Sequence, residues 1–173
     1  LSNSNLRTAD LTGVKLKGAK MLGANFESAT LYAADLTEAK MQRAILDRSD
    51  MRGSCMRKTD LSSASMIDTD LRAGILYSRD KSGELTVISV ESEETVLSGA
   101  NMQNANLSNA RLGDAIVMET DLTDANLSDV NLTRADLTAA KLVGANLEGC
   151  DLSDANLSED VLHGAILTGA WLN

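Results

Sequence analysis

The chain has 173 residues, with 16 basic and 25 acidic side chains and a net charge of −9. This acid excess argues against direct nucleic-acid binding, because contacts to phosphate groups need a basic surface. Two cysteines are too few for a disulfide framework, and no apolar run approaches the roughly 18 residues of a membrane span. No signal peptide is visible in the sequence, which favours a cytoplasmic location without establishing it, and the chain is expected to be complete, processed or a fragment. Aromatic residues make up only 2%, which predicts a core filled by more uniform side chains.

A five-residue repeat organises the chain. Leu, Met or Phe occupies every fifth position from Leu1 to Leu76, and the series resumes at Leu97 and continues to Leu172 with the single change Val117. We call these residues the centres. A small residue, usually Ala, lies two positions before most centres, and Asp or Asn often lies directly before them.

A period of five fits neither an α-helix nor a single long strand. Side chains two residues apart point to the same side of an extended backbone, however. Each repeat is therefore predicted to form a very short strand with two inward side chains, followed by a corner. The absence of heptads excludes a coiled coil. The regular apolar series also argues against disorder, despite the low complexity of the sequence.

The pattern resembles the pentapeptide-repeat family, whose motif is a small residue, Asp or Asn, Leu or Phe, and two polar positions. Examples are Ala-Asp-Leu at 9–11 and Ala-Asn-Leu at 145–147. The resemblance implies an all-β fold, a right-handed quadrilateral β-helix in which four repeats make one coil. Sixteen repeats on each side of the interruption then predict eight coils in a single domain, four over residues 1–78 and four over residues 95–173.

The interruption predicts an insertion of 16 residues, 79–94, because Leu76 and Leu97 are 21 positions apart where the repeat allows five. It begins with a turn signal and continues with a β-prone run, which indicates a hairpin-like excursion. Two hypotheses remain open: the insertion packs on the apolar patch beside it, or it binds a partner. That patch comprises Ile75, Tyr77, Val96, Ile116 and Met118. The candidate contacts of the insertion are Tyr77, Leu85, Val87, Ile88 and Val90.

The last coil has unusual residues at its predicted outward and inward positions. Val161, Ile166 and Trp171 are apolar where polar residues are expected, which makes them candidate partner contacts. A homodimer through this coil, a continuation into further chain and an isolated monomer all remain open. Asp160 stands where a small inward residue belongs, and we expect its carboxyl group to reach solvent or a partner, because burying it unpaired would be costly.

The acidity is concentrated in the C-terminal half. Residues 1–76 carry a net charge of +2 and residues 97–173 a net charge of −8. Some members of the family are described as DNA mimics that bind type II topoisomerases and protect them from quinolones. An acidic rod is compatible with that role, although the basic N-terminal half is not, and a solvated surface is the alternative. The acidic candidates are Asp114, Glu119, Asp121, Asp124 and Asp129.

No catalytic or metal-binding motif is visible. His163 is the only histidine, and Cys55 and Cys150 lie too many coils apart to form a disulfide. We therefore predict a non-enzymatic, rigid protein-interaction or scaffold module that has no catalytic residues, no cofactor and no metal. Its partner is expected to be a protein, with no membrane and no direct nucleic-acid contact. The alternative function is that of an acidic DNA mimic that binds a type II topoisomerase.

Overall fold

The computed structural model describes residues 1–74 and 94–173. Between these ranges it describes only the backbone of two strands, β1 (Tyr77–Arg79) and β2 (Leu85–Val87), which pair antiparallel. Of the predicted insertion contacts, the side chains of Tyr77, Leu85 and Val87 and the whole of Ile88 and Val90 lie outside the described residues. Ile75 of the apolar patch does too. The packing of the insertion against the patch therefore stays a prediction. The described ranges contain no helix long and apolar enough to cross a membrane.

The repeats form a β-helix with four faces. The residue before each centre makes a parallel β-bridge with the residue 20 positions further along, as between Asn5 and Asn25. Such bridges recur every five residues, so four repeats complete one coil. Backbone N–H groups donate along the rod to the next coil, as in parallel sheets. We number the faces 1 to 4 in the order in which the chain first reaches them, at Leu1, Leu6, Leu11 and Leu16.

The corners are tight turns with the same backbone conformation, except the corner after Leu71, where the chain leaves the ladder. The carbonyl of a centre accepts a hydrogen bond from the N–H three residues later, at 3.1 Å from Ser4 to Leu1. The third residue of the turn has a positive φ, which is the mark of a type II turn. Glycine and asparagine favour that conformation, yet Arg48 and Glu119 adopt it here with φ of 57° and 56°. The ladder on both sides of every corner holds these unfavourable conformations in place.

The core consists of the centres and the small residues two positions before them. From Met21 to Leu152 the apolar side chains at these positions are at most 2% exposed, and they form one continuous cluster. Burying one leucine contributes about 1.5–3 kcal/mol, so the stacked columns supply the main stabilisation. Phe26 is the one ring in this core among the described residues. The core is thus filled by uniform aliphatic side chains, as the composition predicts, and the scarcity of aromatic residues reflects a narrow interior.

Most polar side chains at the inward small positions hydrogen bond to the backbone, whereas the buried hydroxyl of Ser49 has no partner in the described residues. The hydroxyl of Thr59 donates to the carbonyl of Leu36 at 2.7 Å, and the hydroxyl of Thr120 donates to Leu97 at 2.9 Å. A threonine therefore fits a small inward position because its one buried donor finds a carbonyl on the preceding coil.

The register of the ladder corrects the predicted insertion. Cys55 pairs with Val96, a separation of 41 residues where 20 is the rule, so 21 residues are extra rather than the predicted 16. Leu97 stands next to Met56 on face 4, the place that the spacing predicted for Leu76. Fifteen repeats precede the insertion and sixteen follow it. Because four repeats make one coil, the rod is one repeat, or a quarter of a coil, shorter than the predicted eight coils. The five-residue spacing of Leu76 was misleading because spacing alone does not reveal where the chain leaves the ladder.

Candidate interaction surfaces

Outward side chains fall into columns that run along the rod. The residue before each centre lies at the middle of a face, and the two residues after the centre form the corner to the next face. Because the ladder fixes the register, residues 20 positions apart are neighbours in one column, and residues 41 apart are neighbours across the insertion. These columns decide which charged and apolar groups meet on the surface.

An ion-pair cluster occupies face 3 beside the insertion. Arg52 and Arg72 hold Asp50 and Asp70 respectively, with N–O distances of 2.7 and 2.8 Å, and Arg111 lies 3.6 Å from Asp70. The side chain of Asp70 is 12% exposed. Burial by itself would raise the pKa of Asp70, but hydrogen bonds from Arg72 and the charges of Arg72 and Arg111 lower it below the usual value. The cluster joins the coils on both sides of the insertion.

The chain leaves the ladder through a tightly packed junction. A Cβ atom at Gly74 would lie 2.9 Å from the hydroxyl of Tyr32 and 3.2 Å from the Cα of Gly53. The hydroxyl of Thr95 accepts a hydrogen bond from the Gly53 N–H at 2.9 Å and donates to the carbonyl of Arg72 at 2.9 Å. The two ends of the insertion are thereby fastened to the same corner of the rod.

Sequence reasoning missed both the cluster and the junction. The signal that could have found Asp70 and Arg111 is their shared column, but that column depends on the 41-residue register.

The guanidinium of Arg52 also lies over the ring of Tyr32, 5.5 Å from its centre, an arrangement that favours a cation–π contact.

The three apolar candidates of the last coil lie on three different faces. Val161 pairs with Lys141 on face 1, Ile166 with Asn146 on face 2, and Trp171 with Asp151 on face 3. Their exposed fractions are 48%, 49% and 65%. They form an apolar rim around the coil, which we call the C-terminal rim, and not one continuous patch.

Asp160 only half meets the expectation drawn from the sequence. Its Oδ1 accepts a hydrogen bond from the N–H of Ala140 at 2.7 Å. Its Oδ2 is buried without a hydrogen-bond partner among the described residues, instead of reaching solvent. Burial, with a smaller contribution from Asp136, raises the pKa of Asp160 to about 6. The last coils therefore contain a carboxyl group that takes up its proton at a higher pH than an ordinary aspartate.

The acidic candidates wind around the rod instead of lining one face. Asp114 lies at the corner after face 3, Glu119 at the corner after face 4, Asp124 at the corner after face 1, and Asp129 at the corner after face 2. Asp121 lies at the middle of face 1. The structure therefore does not bring these five residues together into a single acidic site.

Several of these carboxylates are already paired. Arg134 donates to both oxygens of Asp114, at 2.7 and 2.8 Å, and these hydrogen bonds lower the pKa of Asp114. Burial would raise the pKa of Asp121, but hydrogen bonds from Thr123 and Gln103 lower it, with a further contribution from Lys141. Such pairing reduces the free negative charge of this surface.

The remaining candidates for chemistry are isolated. The buried thiol of Cys150 donates to the carbonyl of Leu127 at 2.8 Å, and burial raises its pKa to about 11. No cluster of His, Cys, Asp and Glu suited to a metal ion occurs within the described ranges. A cavity of about 170 Å³ lies at the corner after face 4, small beside the roughly 300–1,000 Å³ of typical ligand sites. It is lined by Arg57, Lys58, Ser98, Gly99, Met118 and Glu119.

The comparison with protein families decides what kind of β-helix this is. The model described as pentapeptide repeats matches the chain in eight copies, over residues 1–31, 29–68, 93–117, 115–154 and 140–173. The chain belongs to the pentapeptide-repeat family. Members of this family fold as right-handed quadrilateral β-helices, in agreement with the four-faced ladder. No curated protein matches this pentapeptide-repeat chain in a sequence search.

Solved pentapeptide-repeat structures resemble this chain. Trypsin-treated QnrB1, a plasmid-mediated fluoroquinolone resistance protein, is 18% identical, with a TM-score of 0.68 over 100% of this chain and 83% of that chain. Full-length QnrB1 is 19% identical, with a TM-score of 0.55 over 99% and 83%. HetL, involved in heterocyst differentiation regulation in the cyanobacterium Nostoc sp. strain PCC 7120, is 26% identical, with a TM-score of 0.44 over 98% and 75%. At these levels the likeness to QnrB1 shows a shared fold.

Proposed function

We propose that this pentapeptide-repeat protein is a non-enzymatic, rigid interaction or scaffold module whose partner is a protein. The observation that carries the proposal is the C-terminal rim, where Val161, Ile166 and Trp171 expose apolar surface at positions that are polar on most coils. Exposed apolar groups on a rigid scaffold are typical of protein contacts, and tryptophan contributes strongly to them. The inward side chains supply the main stabilisation of the fold, so the outward side chains are free to bind a partner.

The insertion is the second surface that this proposal uses. Its two ends are fastened to one corner by the hydrogen bonds that join Thr95 to Gly53 and to Arg72, which present it at a fixed place on the rod. Loops held by a rigid scaffold often carry binding residues. We propose Tyr77, Leu85, Val87, Ile88 and Val90 as its partner contacts.

Affinity capture with matched variants tests the proposal. The full chain is used as bait in an extract of its source organism, beside Val161→Ser with Trp171→Ser, and Leu85→Ser with Val87→Ser. Thr30→Ser, at the middle of face 3, serves as the control. We expect one protein to be retained by the wild type and by the control and to be lost with one of the two double variants. Equal retention by all four baits would contradict the proposed surfaces.

A topoisomerase-binding DNA mimic is the second candidate. Two observations favour it, the net charge of −8 over residues 97–173 and the shared fold with QnrB1, a fluoroquinolone resistance protein. A supercoiling assay with DNA gyrase, with and without a quinolone, tests it. The mimic predicts inhibition or protection that weakens when Glu119, Asp124 and Asp129 are each replaced by Lys. No effect at micromolar protein would eliminate this candidate and leave the scaffold proposal untouched.

A further inference from the structure

In the two described ranges, 1–74 and 94–173, the middle of face 2 carries no charged residue. The corresponding columns of the other faces hold charged side chains in several coils, such as Lys20 and Asp60 on face 1, Asp70 on face 3 and Asp35 on face 4. Covering any of those columns with a partner would remove charges from water, which is costly. Face 2 avoids that cost. Its column reads Asn5, Asn25, Ile45, Ser65, Asn106, Asn126, Asn146 and Ile166.

The central part of this column is a ladder of amides. Asn126 Nδ2 donates to Asn106 Oδ1 at 3.1 Å, and Asn146 Nδ2 donates to Asn126 Oδ1 at 3.3 Å. Each amide oxygen also accepts a backbone N–H, as from Ser108 to Asn106 at 3.2 Å. Because an amide has two N–H donors, each asparagine keeps at least one for another molecule. The hydroxyls of Ser108 and Ser128, beside the ladder, make no hydrogen bond within the described part of the chain and can accept.

The column is symmetric about its centre. Asn106 and Asn126 are the two central residues of the column. Ser65 lies next to Asn106 on one side, and Asn146 lies next to Asn126 on the other. Beyond these lie Ile45 and Ile166, which are 37% and 49% exposed. Reading outward in either direction therefore gives an amide, then a small polar residue or amide, then an exposed isoleucine.

We propose that face 2 is a self-association surface on which two copies of the chain pair face to face and antiparallel. The twofold axis passes between Asn106 and Asn126, perpendicular to the rod. Such an axis sets each position of the column against its mirror position in the second copy. Asn106 then meets Asn126 of the second copy, and Ile45 meets Ile166. The inference does not depend on the identity of the protein partner proposed above.

The corners that flank face 2 fit this axis. The same operation places Asp124 against Asn104, Asp129 against Asn109, and Arg43 against Gly164. The other charged corner residues of the overlap also meet neutral positions, so no two like charges are directly opposite, although Asp68 lies beside Glu148 of the second copy. The remaining pairs are Asp47 with Thr168, Arg48 with Gly169, Asp68 with Gly149 and Glu148 with Ile67.

The size of the face sets the strength of the association. Five coil steps separate Ile45 from Ile166, about 24 Å at the usual strand spacing of about 4.8 Å, and a three-residue strand is about 10 Å wide. The flat contact is therefore on the order of 300 Å² per copy, well below the roughly 800 Å² of a standard interface. The dimer is thus weak and dissociates on dilution.

Sedimentation velocity over micromolar to millimolar concentrations tests the proposal, with a substitution that the repeat tolerates. Asn126→Asp places the new carboxylate of each copy opposite Asn106 and one coil step from the carboxylate of the other copy. We expect the dimer to weaken by at least about tenfold, because like charges this close within an interface are strongly unfavourable. Aspartate occupies the same repeat position at Asp121 and Asp136, so the variant should fold normally. Asn131→Asp makes the same change on face 3 and should leave the dimer intact.

A second variant provides the rescue. In the double variant Asn106→Lys with Asn126→Asp, the lysine of each copy faces the aspartate of the other copy. We expect this charge pairing to restore association. Lysine also occupies this repeat position, at Lys141. The proposal is overturned if the wild type stays monomeric up to millimolar concentration, or if Asn126→Asp and Asn131→Asp behave alike. It is overturned as well if Trp171→Ser abolishes a dimer that Asn126→Asp leaves intact, since that result indicates association through the C-terminal rim.

Discussion

Removing the carboxyl group of Asp160 should stabilise the last coils at neutral pH. This residue occupies an inward position that Ala holds in most repeats, and burial raises its pKa from 3.8 to about 6. The only hydrogen bond of its carboxyl group within the described residues comes from the N–H of Ala140. That N–H also donates to the carbonyl of Leu137 at 2.7 Å, so Asp160→Ala leaves it with a partner.

The size of the gain follows from the pKa of Asp160. A rise from 3.8 to about 6 corresponds to about 3 kcal/mol for a fully buried group. The side chain is partly exposed, so screening by solvent reduces the expected gain to about 1 kcal/mol. Because the pKa is higher in the folded state, the stability that Asp160 contributes is fully present below about pH 4 and is lost as the pH rises through about 6. The benefit of Asp160→Ala should therefore develop between these two values.

Hydrogen exchange of residues 155–173, followed by mass spectrometry, measures this effect locally. At each pH the exchange of Asp160→Ala is compared with that of the wild type. Asp151→Ala is the control, because a hydrogen bond from Ser153 lowers the pKa of Asp151, so its pH dependence has the opposite sign. Equal protection of the wild type and Asp160→Ala at about pH 7, or the same gain at about pH 4, would refute the reasoning.

Three further predictions concern the junction, the ion-pair cluster and the buried thiol. Gly74→Ala should lower stability by about 1–3 kcal/mol in thermal unfolding, because the new Cβ would lie 2.9 Å from the hydroxyl of Tyr32; an unchanged midpoint would count against the junction. Asp70→Asn should cost about 2 kcal/mol at neutral pH and progressively less as the pH falls through the lowered pKa of Asp70, in denaturant titrations. Iodoacetamide at neutral pH should modify the partly exposed Cys55 while sparing native Cys150, whose pKa is raised to about 11; rapid labelling of Cys150 would show that its coil opens.

The repeat made most of the fold predictable. A spacing of five residues predicts the inward columns, and the two-residue offset between Ala and Leu predicts the short strand and the core. The four faces of each coil were implied only by the resemblance to the pentapeptide-repeat family. The bounds of the insertion did not follow, because Leu76 has the right spacing but Leu97 takes its place beside Met56. A local pattern carries no information about which coil a residue joins after an interruption.

The surfaces were predictable only in part. Val161, Ile166 and Trp171 could be found because apolar residues at outward positions break the repeat, and all three are exposed. The cluster around Asp70 and Arg111 could not be found, because two residues 41 positions apart become neighbours only once the register is known. The contacts proposed for the insertion stay predictions.

The ion-pair cluster, the junction and the column of face 2 all depend on the register across the insertion, and one disulfide tests that register most directly. Cys55 pairs with Val96, and paired residues on adjacent parallel strands lie about 4.8 Å apart, within the Cα–Cα range of a disulfide. Val96→Cys should therefore form a disulfide with Cys55 on mild oxidation, detected by mass spectrometry of non-reduced peptides. A disulfide that forms with Ile75→Cys, and not with Val96→Cys, would restore the simple 20-residue register and contradict the account.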